Sequence, residues 1–314
     1  MVRVSVALGR WTPLGLLILV VACATPTSSG APSANAIVAS GSKLRVVATT
    51  TQVAALTQVV GGDAIELTGL AKAGVDPHEY EPTPEDLRAL AKTQLIIENG
   101  VGLETWLDKI VKNSGAQAPI VDASKGAKIR KGDGKEPLGD PHIWFAVPNA
   151  IVMLNNIRDA LIKSDSNHRD SYMANAAAYE KKLNDLDQYI REQIASVPPA
   201  NRKLVTNHDA FGYYLDSYGL TFVGSVIPSM DTSYEPSAKE LVGLLQAIKE
   251  QQVKAIFTES SVNPSLAKKI GQEAGVKVVD GALYGDTLGP PGSGADTLDG
   301  MLKINTDVIV ANLK

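Results

Sequence analysis

A single cysteine in 314 residues excludes an internal disulfide, which needs a second thiol. Charged residues make up only 20% of the chain against 44% hydrophobic ones, which argues against a disordered or coiled-coil protein and for one that buries real cores. Positive charge is not in surplus: Lys and Arg number 30 against 34 Asp and Glu, a formal net charge of −4. Nucleic acid is therefore excluded as a partner. The apolar run near the N-terminus, Leu14 to Ala22, falls well short of the ~20 residues a membrane-spanning helix requires.

That run has the anatomy of an export signal. Arg3 and Arg10 supply the positive segment, and Leu14 to Ala22 the apolar one that ends in a small residue, so residues 1–22 are read as a signal peptide. Val20-Val21-Ala22-Cys23 resembles a bacterial lipobox, and the lone Cys23 stands where a diacylglycerol anchor would be attached. Residues 23–42, rich in Ser, Ala, Pro, Gly and Thr and uncharged until Lys43, read as a flexible tether. Removing the signal takes away two positive charges and leaves a mildly acidic body, held by lipid at the extracytoplasmic face of the cell membrane, where it would meet something small.

From Leu44 onward the pattern is α/β. "LRVVATT" (44–50), "AIELTGL" (64–70), "TQLIIENG" (93–100) and "APIVDAS" (118–124) read as strands, with a helix over 52–62 and another starting at Thr83-Pro84-Glu85-Asp86. Strands separated by helices of about ten residues imply parallel βαβ units. The segment 171–196 differs: Tyr172, Ala176, Tyr179, Leu183, Leu186, Ile190 and Ile194 recur at spacings of three and four with no Gly or Pro, predicting one long rigid helix. The α/β rhythm then resumes at 202–226 and 254–281. The expected fold is two similar lobes with parallel sheets flanked by helices, at 43–170 and 199–314, joined by a helix over 171–198.

Histidine is scarce, and its settings repeat. Of four His, His78 and His142 both lie in Asp-Pro-His, and His208 is followed at once by Asp209. Proline fixes its own φ and pushes the preceding residue into an extended conformation, so each imidazole sits on a stiff loop. These loops follow predicted strands or precede a predicted helix. In open α/β sheets the carboxyl ends of the strands are where ligands bind, so three imidazoles could converge there on a transition metal. His168, among polar residues at the start of the long helix, reads instead as solvated or capping. A fourth, oxygen-donating ligand is expected from the second lobe, with Asp280, Asp286 and Glu259 as candidates that spacing alone does not separate.

"DPHEYEPTPEDL" with a downstream "ENG", "DPHIWFAVPNA", "NHDAFGYYLDSYGL" and "DTLGPPGSGADTLDGMLKINTDVI" together resemble the successive motifs of the zinc and manganese substrate-binding lipoproteins of ABC importers, over almost all of 43–314. The resemblance implies two lobes joined by one long helix with the metal between them. It implies the ligands His78, His142, His208 and Asp286, with Glu259 as a hydrogen-bond acceptor behind a ligand imidazole, and it demotes Asp280. It also implies an ABC permease as partner and a protein that acts as a monomer. Two departures stand out: Phe145-Ala146 replaces the Leu-Asp common after this His-Ile-Trp, and the loop 125–139 has no His where many zinc-uptake members carry a His-rich insert.

Three imidazoles and one carboxylate suit tetrahedral Zn²⁺ better than Mn²⁺, which prefers more oxygen. Three His and a water would suit a zinc hydrolase, but a protein carboxylate in the fourth position closes the site, and no general base is aimed at a bound water. The expectation is a non-enzymatic carrier of a divalent metal, with affinity falling as pH drops through ~6 because the imidazoles must be neutral.

Overall fold

The computed structural model describes residues 42–132 and 136–314, together with Gly9. The rest of the signal segment, Cys23 and the tether up to residue 41 lie outside the described residues.

Two four-stranded sheets, each entirely parallel, form the two lobes. The first comprises β1 (Leu44–Ala48), β2 (Ile65–Gly69), β3 (Leu95–Glu98) and β4 (Ile120–Asp122) in the order β2-β1-β3-β4. The second comprises β5 (Lys203–His208), β6 (Thr221–Ile227), β7 (Ala255–Glu259) and β8 (Lys277–Leu283) in the order β6-β5-β7-β8. The two orders are the same. In both, the chain leaves the first strand for a neighbour on one side and then crosses to the other side, which creates a crevice beyond the strands' carboxyl ends.

Period-2 alternation sends side chains into separate layers. In β1 and β3, Val46, Ala48, Leu95 and Ile97 join the large central core, while Val47 and Ile96 face a second layer with Leu90 of α2 (Pro84–Lys92) and Ile110 of α3 (Leu107–Ser114). In the second lobe Leu204 and Phe257 face the central core. Val205 and Ile256 face Ile248 of α7 (Ala238–Glu250) and Ile270 of α8 (Ser265–Ala274). Strands covered on both faces read as continuous apolar runs, which is what "VVA" (46–48) and "AIF" (255–257) are.

The central core also contains α1 (Thr51–Gly61), α4 (Val147–Ser164) and the long helix α5 (Arg169–Ala195). The seven residues of α5 at spacings of three and four are the seven it buries. They pack on α1 and α4 of the first lobe and on α9 (Leu298–Leu313) of the second. Tyrosine hydroxyls fasten this strut to the second lobe: Tyr179 donates to Asp299 at 2.8 Å, and Tyr189 donates to Asp307. Helix α5 is therefore a spine, buried along one face, on which both lobes are packed.

Helix α2 starts where Thr-Pro-Glu-Asp predicts. The Thr83 hydroxyl accepts from the Asp86 N–H at 3.3 Å and Asp86 Oδ2 accepts from the Thr83 N–H at 2.8 Å, a reciprocal capping box. Thr83→Ala is expected to lower stability by about 1 kcal/mol, visible as a lower urea midpoint at unchanged slope.

Candidate metal centre

His208 is the last residue of β5 and Glu259 the last of β7, neighbours in the second sheet at the point where its strand order reverses. Glu259 Oε1 accepts from the His208 backbone N–H at 3.2 Å and faces His208 Nδ1 at 2.9 Å. Two elements thus hold one ring, and the neutral ring keeps its proton on Nδ1 with the Nε2 lone pair turned into the cleft.

The two Asp-Pro-His loops share one construction. In each, the Asp Oδ1 accepts the backbone N–H of the His two residues on, at 2.8 Å from His78 and 3.0 Å from His142. Asp140 Oδ1 also faces His142 Nδ1 at 2.8 Å, the counterpart of Glu259 behind His208. Asn99, just past β3, donates to the Pro141 carbonyl at 3.0 Å, and Trp106 donates to the Pro77 carbonyl at 2.7 Å, tying both loops to the first lobe.

Asp286 arrives three residues after β8, in a loop grasped by the first lobe. Gln52 of α1 reaches the Gly285 carbonyl at 3.3 Å, the Gly74 N–H donates to Thr287 Oγ1 at 3.1 Å, and the Leu288 N–H donates to Thr51 Oγ1 at 2.9 Å. A Cβ at position 285 would lie 1.8 Å from Glu259 Oε2, so only glycine lets this loop close over Glu259.

One ligand atom from each of His78, His142, His208 and Asp286 lies within 4.8 Å of the other three. Asp286 Oδ1 is 3.1 Å from His142 Nε2, and its Oδ2 is 3.1 Å from His208 Nε2 and 3.6 Å from His78 Nε2. All five atoms are buried, and among the described residues they face only one another. Three of the four side chains are wholly buried; His78 alone, at 8% exposure, reaches a cavity of about 280 Å³ lined also by Leu103, Pro141, Met230 and Asp231.

The charges are strongly coupled. Burial opposes charge on every member, but Asp286 with Asp140 pushes His142 up to about 9, and Asp286 with Glu259 holds His208 well above the ordinary histidine value. Asp286 is likewise opposed by burial, yet the two imidazoles hold its carboxyl well below the usual carboxylate range. His78 moves the other way, because burial and the two neighbouring imidazoles outweigh Asp286. For His142 and His208, but not for His78, these contacts move the titration above the pH ~6 expected from the sequence.

Of the other acidic candidates, Asp280 lies outside the cluster in an exposed pair with Lys268 at 2.6 Å, and Glu259 stands one layer behind His208. His168 is half-exposed and faces Asp165 at 2.6 Å at the start of α5. Asp140, the partner of His142, is not among the residues singled out from the sequence; its signal there is the Asp two residues before each loop His. Phe145, in place of the family's usual Leu, is fully buried with its ring 4.6 Å from that of Phe211 in the second lobe.

The fold and the site define a two-lobed substrate-binding protein whose cleft is built for a metal ion. The chain belongs to the family described as the periplasmic component A of the zinc-uptake complex, whose model matches residues 46–312. It is 32% identical over 308 residues, 96% of each chain, to the manganese ABC transporter substrate-binding lipoprotein PsaA of Streptococcus pneumoniae, and 33% identical to the manganese-binding lipoprotein MntA of Bacillus subtilis, over 87% of this chain and 90% of the relative. Its fold is similar to that of the periplasmic zinc-binding protein TroA of Treponema pallidum, with a TM-score of 0.80 and 30% identity over 87% of this chain and 99% of that one.

Proposed function

We propose that this protein captures a divalent transition metal, foremost Zn²⁺, on His78, His142, His208 and Asp286 and delivers it to an ABC permease, while a lipid on Cys23 anchors it at the extracytoplasmic face of the membrane. The observation that carries the reading is the convergence of three buried Nε2 atoms and two buried carboxylate oxygens from four separate segments, which among the described residues face only one another. Burying three imidazoles and a carboxylate together carries a desolvation cost that their mutual attraction offsets only in part, so the cluster is kept for the sake of what binds it.

Three imidazoles with one carboxylate oxygen give the four borderline-soft donors of a tetrahedral zinc site. Both Asp286 oxygens face the imidazoles, so a bidentate carboxylate would give five donors; together with the manganese-binding names of several relatives, this supports Mn²⁺ as the second reading. Competition between the two metals on protein purified without added metal separates them. The site reads as a binder and not as a hydrolase, because Asp286 occupies the fourth position and the nearby Glu259 is committed to His208. The chain is expected to act as a monomer, and among the described residues no helix is long and apolar enough to cross a membrane.

A ligand that binds only the folded chain at 100 times its Kd adds about 2.7 kcal/mol of stability. Zinc in that excess should raise the melting temperature by several degrees, and an unchanged value contradicts a site linking two lobes. Glu259→Gln should weaken zinc binding by about 10–100-fold, the usual cost of disturbing a ligand histidine's hydrogen-bond partner. Isothermal titration of the variant checks it.

A further inference from the structure

Behind His142 lies a second arrangement that joins the lobes. Asp140 uses Oδ1 on His142, while its Oδ2 accepts from Arg130 Nη1 at 3.0 Å. The same guanidinium sends Nε to Asp216 of α6 (Gly212–Tyr218) in the second lobe, at 2.8 Å. The Arg130 backbone N–H donates to the Tyr213 hydroxyl at 2.9 Å, and that hydroxyl donates to the Asp140 carbonyl at 2.8 Å. The Asp140 N–H in turn donates to the Arg130 carbonyl at 3.0 Å. Asp140 is wholly buried, whereas Asp216 is largely exposed, so the guanidinium runs from the layer behind the metal centre out to the surface of the other lobe.

Gly212 shows that this placement is built into the fold. A Cβ at 212 would lie 2.0 Å from Arg130 Nη1 and 2.4 Å from its Cζ, and the nearest atoms to that point all belong to this arginine. The first residue of α6 is glycine where the guanidinium comes closest to the helix start.

We propose that Arg130 is an interlobe latch: a positioning residue that holds Asp140, and through it His142, in register with α6 of the second lobe, and so sets how long a bound metal stays. The planar fork matters because one group must meet two carboxylates in fixed directions while the backbone of the same residue meets Tyr213. Opening the lobes to release metal must break this fork, and breaking the fork frees the carboxylate that orients a ligand imidazole. The inference rests on the metal-binding reading above and adds a residue in the loop 125–139, which has no His.

The test is stopped-flow release of Zn²⁺ from the full chain into excess chelator, with association rates and metal-free melting temperatures measured alongside. Arg130→Ala should raise the dissociation rate by about 10-fold or more, in line with other groups that act on a ligand's partner, with association within about threefold; its metal-free melting temperature should fall, because the buried Asp140 loses an ion-pair partner. Gly212→Ala keeps the arginine but displaces it, and should raise the dissociation rate in the same direction; it decides the matter if Arg130→Ala does not fold. Asp216→Asn should raise the rate less, and combining it with Arg130→Ala should add nothing. Arg130→Lys keeps the charge without the fork and should not restore wild-type release. A folded Gly212→Ala protein with wild-type release, full rescue by lysine, or additive effects of Arg130→Ala and Asp216→Asn would each overturn the latch. Wild-type protein that takes up no zinc overturns the metal-binding reading itself, whereas zinc-binding wild type with unmoved variants overturns the latch alone.

Discussion

His208→Ala is expected to lower zinc affinity by more than about 100-fold, beyond the 10–100-fold typical of groups that only support a ligand. His208 is wholly buried, and its Nε2 lies 3.1 Å from Asp286 in a cluster where every other donor comes from a different loop, so no spare side chain can replace it. The substitution also leaves Glu259 buried without its ring partner. His168→Ala should leave affinity unchanged, because His168 is half-exposed and engaged with Asp165 at the start of α5. Equal losses in the two variants, by titration calorimetry with a competing chelator, would contradict the assignment.

The second large effect is the dependence of zinc binding on pH. His142, pushed up to about 9, and His208, held well above its ordinary value, both carry protons near neutrality, whereas His78 does not. Zinc needs all three rings neutral, so binding near pH 7 should release about two protons, and the apparent affinity should fall about tenfold per pH unit for each proton displaced. Between pH 8.5 and 6.5 displacing the His142 proton alone should cost up to about 100-fold by that relation, and the raised His208 adds to the loss. The metal-free protein should behave in the opposite sense. Its imidazolium–carboxylate pairing, with the histidine values raised, stabilises the fold fully below the unfolded histidine value of about 6.5 and is lost as pH rises through about 9 for His142. Asp286, with its value depressed, contributes stability above the unfolded aspartate value of about 3.9, and this is lost at lower pH. The melting-temperature gain from zinc should therefore widen from pH 6 to 9. Calorimetry in two buffers of different ionisation enthalpy counts the protons; an affinity flat from pH 7.5 to 5 contradicts the account.

Much of this was legible in the residues because periodicity reports directly on burial. The seven positions of α5 that recur at three and four are the buried ones, and the short β-branched runs are the strands. The three histidines could be singled out by their rigid settings, and the structure gathers them at the carboxyl edges of the two sheets. Which acid joins them was not legible from spacing. Asp280 lies within β8 and Asp286 three residues beyond it, and the difference is made by contacts from distant sequence: Gln52, Gly74 and Thr51 draw the 285–288 loop inward, while Lys268 pairs with Asp280 at the surface. The pH range depends on the same kind of distant contact. An imidazole's value depends on which carboxylates stand within about 3 Å, and Asp140, Asp286 and Glu259 reach that distance only in the folded chain. The role of Arg130 depends on a partner 86 residues away.

The central claim is that one ion is held by three imidazoles and one aspartate carboxylate drawn from both lobes. X-ray absorption at the zinc edge of the one-to-one complex tests it most directly. The account predicts a first shell of nitrogen and oxygen at about 2.0–2.2 Å, with the outer-shell pattern of three imidazole rings, and two rings in His208→Ala. A shell of oxygens alone, or a wild-type spectrum with one imidazole, would contradict it.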